Sequence, residues 1–194
     1  SAPRRRGKEA ADRGTAVHAI IQAHLSGAPR PAALPDIAPY VDAWDAFASS
    51  HSIRPVILER PVWNTTACYA GQCDLVAAVT CVGCPCSAKL QGAILVIDFK
   101  TTDDRSKFEH LPWADHRLQV EAYRRAEKYE DEGEAVRPMP LTDGAAVLRL
   151  APGAWALATW LNAVEQARAW HAFQAARDVW RWSRAYETSE NVPY

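Results

Sequence analysis

Residues Ile94-Leu95-Val96-Ile97-Asp98-Phe99-Lys100-Thr101 decide how this chain is read: an apolar run ends in a carboxylate and an ammonium two positions apart. Aliphatic and β-branched residues in unbroken series suit a buried strand. Successive strand side chains alternate faces, so Asp98 and Lys100 project from one side, with Ile94 and Val96 behind them. Charges rarely finish a buried strand without a partner, a metal or a task. An isolated Asp-x-Lys is ordinarily a surface ion pair, so its meaning here depends on what the rest of the chain brings to it.

A chain of 194 residues is long enough for one domain with a real core. Its 48% apolar and 23% charged residues are those of a soluble globular protein. A net charge of -1 supplies no global basic field, so any nucleic-acid surface is a local patch. No segment approaches the roughly 18 continuous apolar residues of a membrane span, and no secretory signal pattern opens the chain, so no membrane partner is expected. Five cysteines, an odd number without framework spacing, favour a reduced, cytoplasmic setting. The chain opens on Ser1 and its single methionine is Met139, which reads as a fragment lacking the native amino terminus.

Outward from the opening stretch, the period of the apolar residues changes twice. A helix starting near Asp12 or Thr15 and reaching Leu25 carries Val17, Ile20, Ile21 and Leu25 at helical spacing. Ser26-Gly27-Ala28-Pro29 stops it, and 29–39 is a proline-rich connector. A second helix over 40–50 aligns Tyr40, Trp44 and Phe47. The middle third reads as strands: 56–59 bounded by Pro55 and Pro61, then 65–69, 74–80 and 93–100. Helical period returns at 118–129, a strand follows at 145–150, and 155–186 reads as one long helix with Trp160, Val164, Ala167 and Trp170 on one side. The expected fold class is α/β, an antiparallel meander inside a mixed sheet flanked by helices.

Two segments of this meander carry the chemistry. A hairpin turning near residue 86 sets Asp74 directly across from Asp98, with Cβ atoms about 4.5–5.5 Å apart. Carboxylates so close repel unless a cation bridges them, and oxygen donors suit Mg²⁺ or Mn²⁺. Lys100, one pleat along the same face, is then in reach of a phosphate or an attacking water. Taken alone, His18 on the apolar first helix reads as a hydrogen-bonded core residue. Gln119 and Tyr123, one helical turn apart, face together.

In order and type, Gly14-Thr15-x-x-His18, Glu59, Gly71-x-x-Asp74, Asp98-Phe99-Lys100 and Gln119-x-x-x-Tyr123 resemble the motifs of the RecB-type exonucleases of the PD-(D/E)XK nuclease superfamily. The match spans about residues 13–125, with 145–194 as a C-terminal strand and helix of the same single domain. Cys73 stands where the family's usual proline precedes the first aspartate. The resemblance implies a restriction-endonuclease-like core and metal-dependent DNA exonuclease activity in recombination, repair or phage replication. It further implies that His18, Asp74, Asp98 and the Phe99 carbonyl hold Mg²⁺ or Mn²⁺, and that Lys100 orients the water and stabilises charge on phosphorus. Gln119 and Tyr123, with Thr15 and Arg13, are implied as DNA contacts. Glu59 matches a position of varied role, either behind the ligands or on a second metal. DNA is the expected partner, with a recombinase, helicase or single-strand-binding protein beside it. A catalytically silent DNA-binding module of the same fold and an endonuclease of the superfamily are the alternatives.

Cys81-x-x-Cys84-x-Cys86 invites a structural Zn²⁺ with Cys68 or a histidine as fourth ligand, but free thiols are favoured, at the turn and far from Asp74. Arg4, Arg5, Arg6, Lys8, Arg13, Arg105, Lys107, Arg117, Arg124 and Arg125 flank the motifs and are available to track a phosphate backbone or to form a solvated face. The tryptophans of the last helix read as core or as a partner-binding face rather than a base-stacking platform.

Overall fold

The computed structural model describes residues 2–82, 90–109 and 114–188. The opening stretch is strand β3 (Gln91–Thr101), antiparallel to β2 (Tyr69–Cys81), which is antiparallel to β1 (His51–Asn64). On its other side β3 runs parallel to β6 (Gly144–Ala151), and β7 (Ala154–Trp160) closes that edge. Two short strands, β4 (Lys128–Glu130) and β5 (Val136–Pro138), extend the opposite edge, giving seven strands in the order β5-β4-β1-β2-β3-β6-β7. Four helices accompany them among the described residues: α1 (Ala2–Ser26), α2 (Ala38–Ser50), α3 (Ala114–Arg124) and α4 (Ala163–Thr188), with a 3-10 turn at Arg105–Glu109. The α/β class and the mixed sheet flanked by helices agree with the sequence reading.

The core follows from two alternations. Leu75, Ala77, Val79, Leu95, Ile97 and Phe99 face α1 and α2, where Val17, Ile21, Trp44 and Phe47 meet them. Val76 and Val96 face the other way, toward Tyr123 and Tyr129. In α2, Tyr40, Ala43, Trp44 and Phe47 recur at helical spacing and are buried, and the helix starts with Pro39 in its first turn, where a missing N–H costs nothing. Strand β6 is buried at every position because it lies inside the sheet with helices on both faces.

Five boundaries differ from the sequence reading, each for a local reason. Helix α1 starts at Ala2, well ahead of Asp12. Residues 7–12 are exposed, so they carry no apolar period to reveal the helix, and Pro3 is tolerated in a first turn. Pro55 and Pro61 lie inside β1 rather than bounding it. That strand meets β4 only at Val62 and Trp63, so most of its second side is an edge, where proline breaks no ladder. Residues 65–68 are a turn, with Cys68 at φ 51°, rather than the start of a strand. Helix α3 stops at Arg124 rather than Tyr129, because Asn64 takes the Arg125 carbonyl at 2.7 Å and Glu127 N–H bonds the Trp63 carbonyl at 2.9 Å, drawing the chain onto β1. The segment 155–186 is not one helix: Pro152-Gly153 turns the chain, Gly153 at φ 65°, and Ala154–Trp160 returns as β7.

Cys81 is disulfide-bonded, contrary to the free thiol expected there, whereas Cys68 and Cys73 are free. Cys84 and Cys86 lie outside the described residues, as do the side chains of Arg4, Arg5, Arg6 and Lys107. In α4, Trp170 stacks on Phe173 and packs against Tyr69, while Trp180 and Trp182 are exposed. No described helix is long and apolar enough to cross a membrane.

Candidate active site

The register of β1, β2 and β3 lines up three acids. Leu58 pairs with Leu75 and Arg60 with Cys73, so Glu59 comes opposite Asp74. Leu75 pairs with Ile97, so Asp74 comes opposite Asp98, as the hairpin reading required. Glu59 sits at φ 50°, a left-handed conformation in mid-strand that re-aims its side chain. Helix α1 then lays His18 over these strand ends, its ring edge-on to Phe99 with centroids 5.6 Å apart.

The histidine is the centre of one group. Its Nδ1 is 3.3 Å from Glu59 Oε1 and 3.8 Å from Asp74 Oδ2, and its Nε2 is 3.1 Å from the Phe99 carbonyl oxygen. Asp74 Oδ2 accepts the Phe99 backbone N–H at 2.8 Å, which fixes the carboxylate at the strand end. One ligand atom each from His18, Glu59 and Asp74 lies within 4.8 Å of the others. The expected trio was His18, Asp74 and Asp98. Among these side chains the third place in the group is taken by Glu59.

Asp98 belongs to a second group on the α3 side. Lys100 Nζ donates to its Oδ1 at 3.0 Å and lies 2.8 Å from Oδ2, although Oδ2, fully buried, receives no well-directed hydrogen bond. Nζ also donates to Gln119 Oε1 at 3.2 Å, and Gln119 Nε2 donates to the Tyr123 hydroxyl at 2.9 Å. Gly71 makes this possible: a β-carbon there would lie 2.7 Å from Tyr123 Cε1. The glycine of the Gly71-x-x-Asp74 motif is therefore the space into which the ring of the Gln119-x-x-x-Tyr123 motif fits. Three of the five motifs thus form one connected chain of contacts from α3 to β3.

Both acids of the site are held above their ordinary range. Burial, and then the charge of Asp98, hold the Asp74 carboxyl well above the ordinary carboxylate range. Burial also raises Asp98, with Lys100 opposing it. Burial works against the His18 imidazolium, yet the Glu59 hydrogen bond and the charges of Asp74 and Glu59 carry its pKa above 6.5. An imidazole nitrogen, carboxylate oxygens and a backbone carbonyl form a donor set for a hard divalent ion such as Mg²⁺ or Mn²⁺. No protein-family model matches this chain, and no curated protein matches it.

The structure brings Glu59, Asp74, Asp98, Lys100, His18, the Phe99 carbonyl, Gln119 and Tyr123 to this one region. Thr15 lines its margin, its hydroxyl bonded back to the Ala11 carbonyl at 3.1 Å. Arg13 is turned away: it pairs with Asp103 at 2.8 Å and stacks over Tyr40, whose hydroxyl also donates to Asp103. Most of the other described basic residues are engaged internally as well. Arg105 holds the Gly153 carbonyl, Arg117 faces Glu165, and Arg124 and Arg125 both bind the buried Glu121.

Two neighbours of Lys100 went unread in the sequence. Arg149 of β6 pairs with Lys100 in the parallel register, donates to the Phe108 carbonyl at 3.3 Å and is only 9% exposed. His116 of α3 feels Lys100, Asp98 and Arg149, and burial together with Lys100 lowers its pKa. The signal for Arg149 was present: it is the single charge in the apolar run 145–151, the same kind of interruption that drew attention to Asp98 and Lys100.

Proposed function

We propose that this chain is a metal-dependent nuclease with a restriction-endonuclease-like core, hydrolysing phosphodiester bonds of DNA from chain ends in recombination, repair or phage replication. One observation carries the reading: His18, Glu59 and Asp74 converge within 4.8 Å beside an Asp98–Lys100 pair, so a cation site and an ammonium stand next to each other. Proximity of this kind suits phosphoryl transfer, in which positioning and charge stabilisation supply most of the rate.

Each residue has a role that its contacts support. Glu59 and Asp74 provide carboxylate oxygens on the α1 side, with His18 and the Phe99 carbonyl next to them. Held by these residues, a divalent ion would lower the pKa of a bound water and offset charge on the phosphoryl oxygens. Lys100 donates to Asp98 and to Gln119, so its ammonium is held at a fixed point beside the acids, ready to orient the water or meet the developing oxyanion. Tyr123 steadies Gln119, and Gly71 admits Tyr123. Gln119 and Tyr123 thus act first as a brace for Lys100, and contact with DNA is an additional role.

The test is digestion of end-labelled linear DNA and closed circular DNA with Mg²⁺ and with Mn²⁺. Linear DNA is degraded and circles survive, and Lys100→Ala lowers the rate about 10²–10³-fold while circular dichroism is unchanged. Nicking of circles makes the enzyme an endonuclease of the same chemistry. Binding without cleavage in either metal, or full activity of Lys100→Ala, removes the proposal.

A further inference from the structure

An open cleft of about 360 Å³ lies along α1 beside β1, lined by Gly14, Thr15, His18, Ala19, Gln22 and Glu59. Two of these residues belong to the His18–Glu59–Asp74 group, so one end of the cleft is the cation site itself. The remainder is small or neutral: a glycine, an alanine, a hydroxyl and a carboxamide. No cation lines it. The nearest arginines in sequence are turned elsewhere, Arg13 to Asp103 and Arg60 to Glu132 at 3.3 Å. Away from its His18 end, a phosphate placed in this cleft would face the Glu59 carboxylate with no described lysine or arginine to offset the repulsion.

The other side of the group has the opposite character. Glu59, Asp74 and Asp98 stand in one row across β1, β2 and β3, and Lys100 pairs with Arg149 of β6 two residues further along. The lysine and arginine nearest the group thus lie on the β3–β6 side, Lys100 paired with Asp98, and the neutral cleft is left for an uncharged group. Gln22 offers an amide donor and acceptor, and Thr15 a hydroxyl whose proton is committed to Ala11, leaving an acceptor. The volume sits at the lower end of the roughly 300–1,000 Å³ found for small-molecule sites, room for one nucleoside.

We infer that the α1–β1 cleft receives the terminal nucleoside of a DNA chain, its sugar and base lying along Thr15, Ala19 and Gln22 while the scissile phosphate lies at the His18–Glu59–Asp74 group. The inference rests on the nuclease reading and sharpens it: the product released is a mononucleotide. Ala19 is exposed, so an Ala19→Trp variant fills the cleft without disturbing the core.

Calorimetric titration of the Mn²⁺-loaded protein with deoxyadenosine monophosphate and, separately, inorganic phosphate tests it. The nucleotide binds at least tenfold more tightly than phosphate, and Ala19→Trp brings the ratio to within about twofold of unity. Because a ratio is read within each protein, a change in metal loading of the variant does not mimic the effect. Equal affinities in the unaltered protein, or an undiminished ratio in Ala19→Trp, overturn the cleft assignment. DNA digestion assayed in parallel separates the two ideas: digestion with equal affinities sinks the cleft alone, and absence of digestion in both metals sinks the nuclease reading and the cleft with it.

Discussion

Glu59 holds a backbone conformation that L-residues avoid, at a cost of about 1–2 kcal/mol, and the side chain so placed is 3.3 Å from His18. Strain kept at such a point marks a position whose side chain has a use. Glu59→Gln preserves shape and removes the charge, so Mn²⁺ affinity measured by calorimetry falls at least about tenfold while the far-ultraviolet spectrum is retained; unchanged affinity removes Glu59 from the ligand set. The same residues set a pH dependence. Asp74 and Asp98 are raised above the ordinary 3.8, and an acid whose folded pKa is raised favours the fold when protonated. That contribution is complete below 3.8 and is lost as pH climbs through the folded values. His18, raised above 6.5, acts in the same direction: its contribution is complete below 6.5 and is lost above it. The metal-free protein therefore loses thermal stability between pH 5 and pH 8, and Mn²⁺ raises Tm more at pH 8 than at pH 5.5. A metal-free Tm that rises across this range argues against the buried, uncompensated acids.

Among the elements, the close approach of β2 and α3 is the contact that joins the motifs. Gly71→Ala places a methyl group 2.7 Å from the Tyr123 ring, which must move, and with it the Gln119 amide that receives Lys100. Overpacking of this kind costs about 1–3 kcal/mol, so urea denaturation shows a lowered midpoint, and nuclease activity falls by more than the loss of folded protein explains. A variant with both properties unaltered shows that the ring does not brace Lys100. The elements also show what sequence can disclose. The β2–β3 hairpin and the Asp74–Asp98 alignment were legible because strand period fixes faces and register from the midpoint of a turn. Glu59 was placed only by its motif, since a left-handed residue in mid-strand leaves no mark in the residue pattern. β7 was hidden because Ala154 to Trp160 fits either period, and only the Pro152-Gly153 turn decides for a strand.

For the whole molecule, a net charge of -1 coexists with a charge gradient across the site, from Glu59 and Asp74 on β1 and β2, through the Asp98–Lys100 pair on β3, to Arg149 on β6. Composition averages this gradient away, whereas the strand order β1-β2-β3-β6 creates it. Arg149 belongs to the gradient through a parallel pairing that spans a long stretch of chain, which explains why a reading by local motif missed it. The most direct measurement is anomalous diffraction from a crystal soaked in Mn²⁺. A single strong peak is expected among His18, Glu59 and Asp74, with ligand oxygens at about 2.1 Å and Lys100 close by. No peak at these residues, or a peak elsewhere with the His18–Glu59–Asp74 group unchanged, refutes the metal-centred reading.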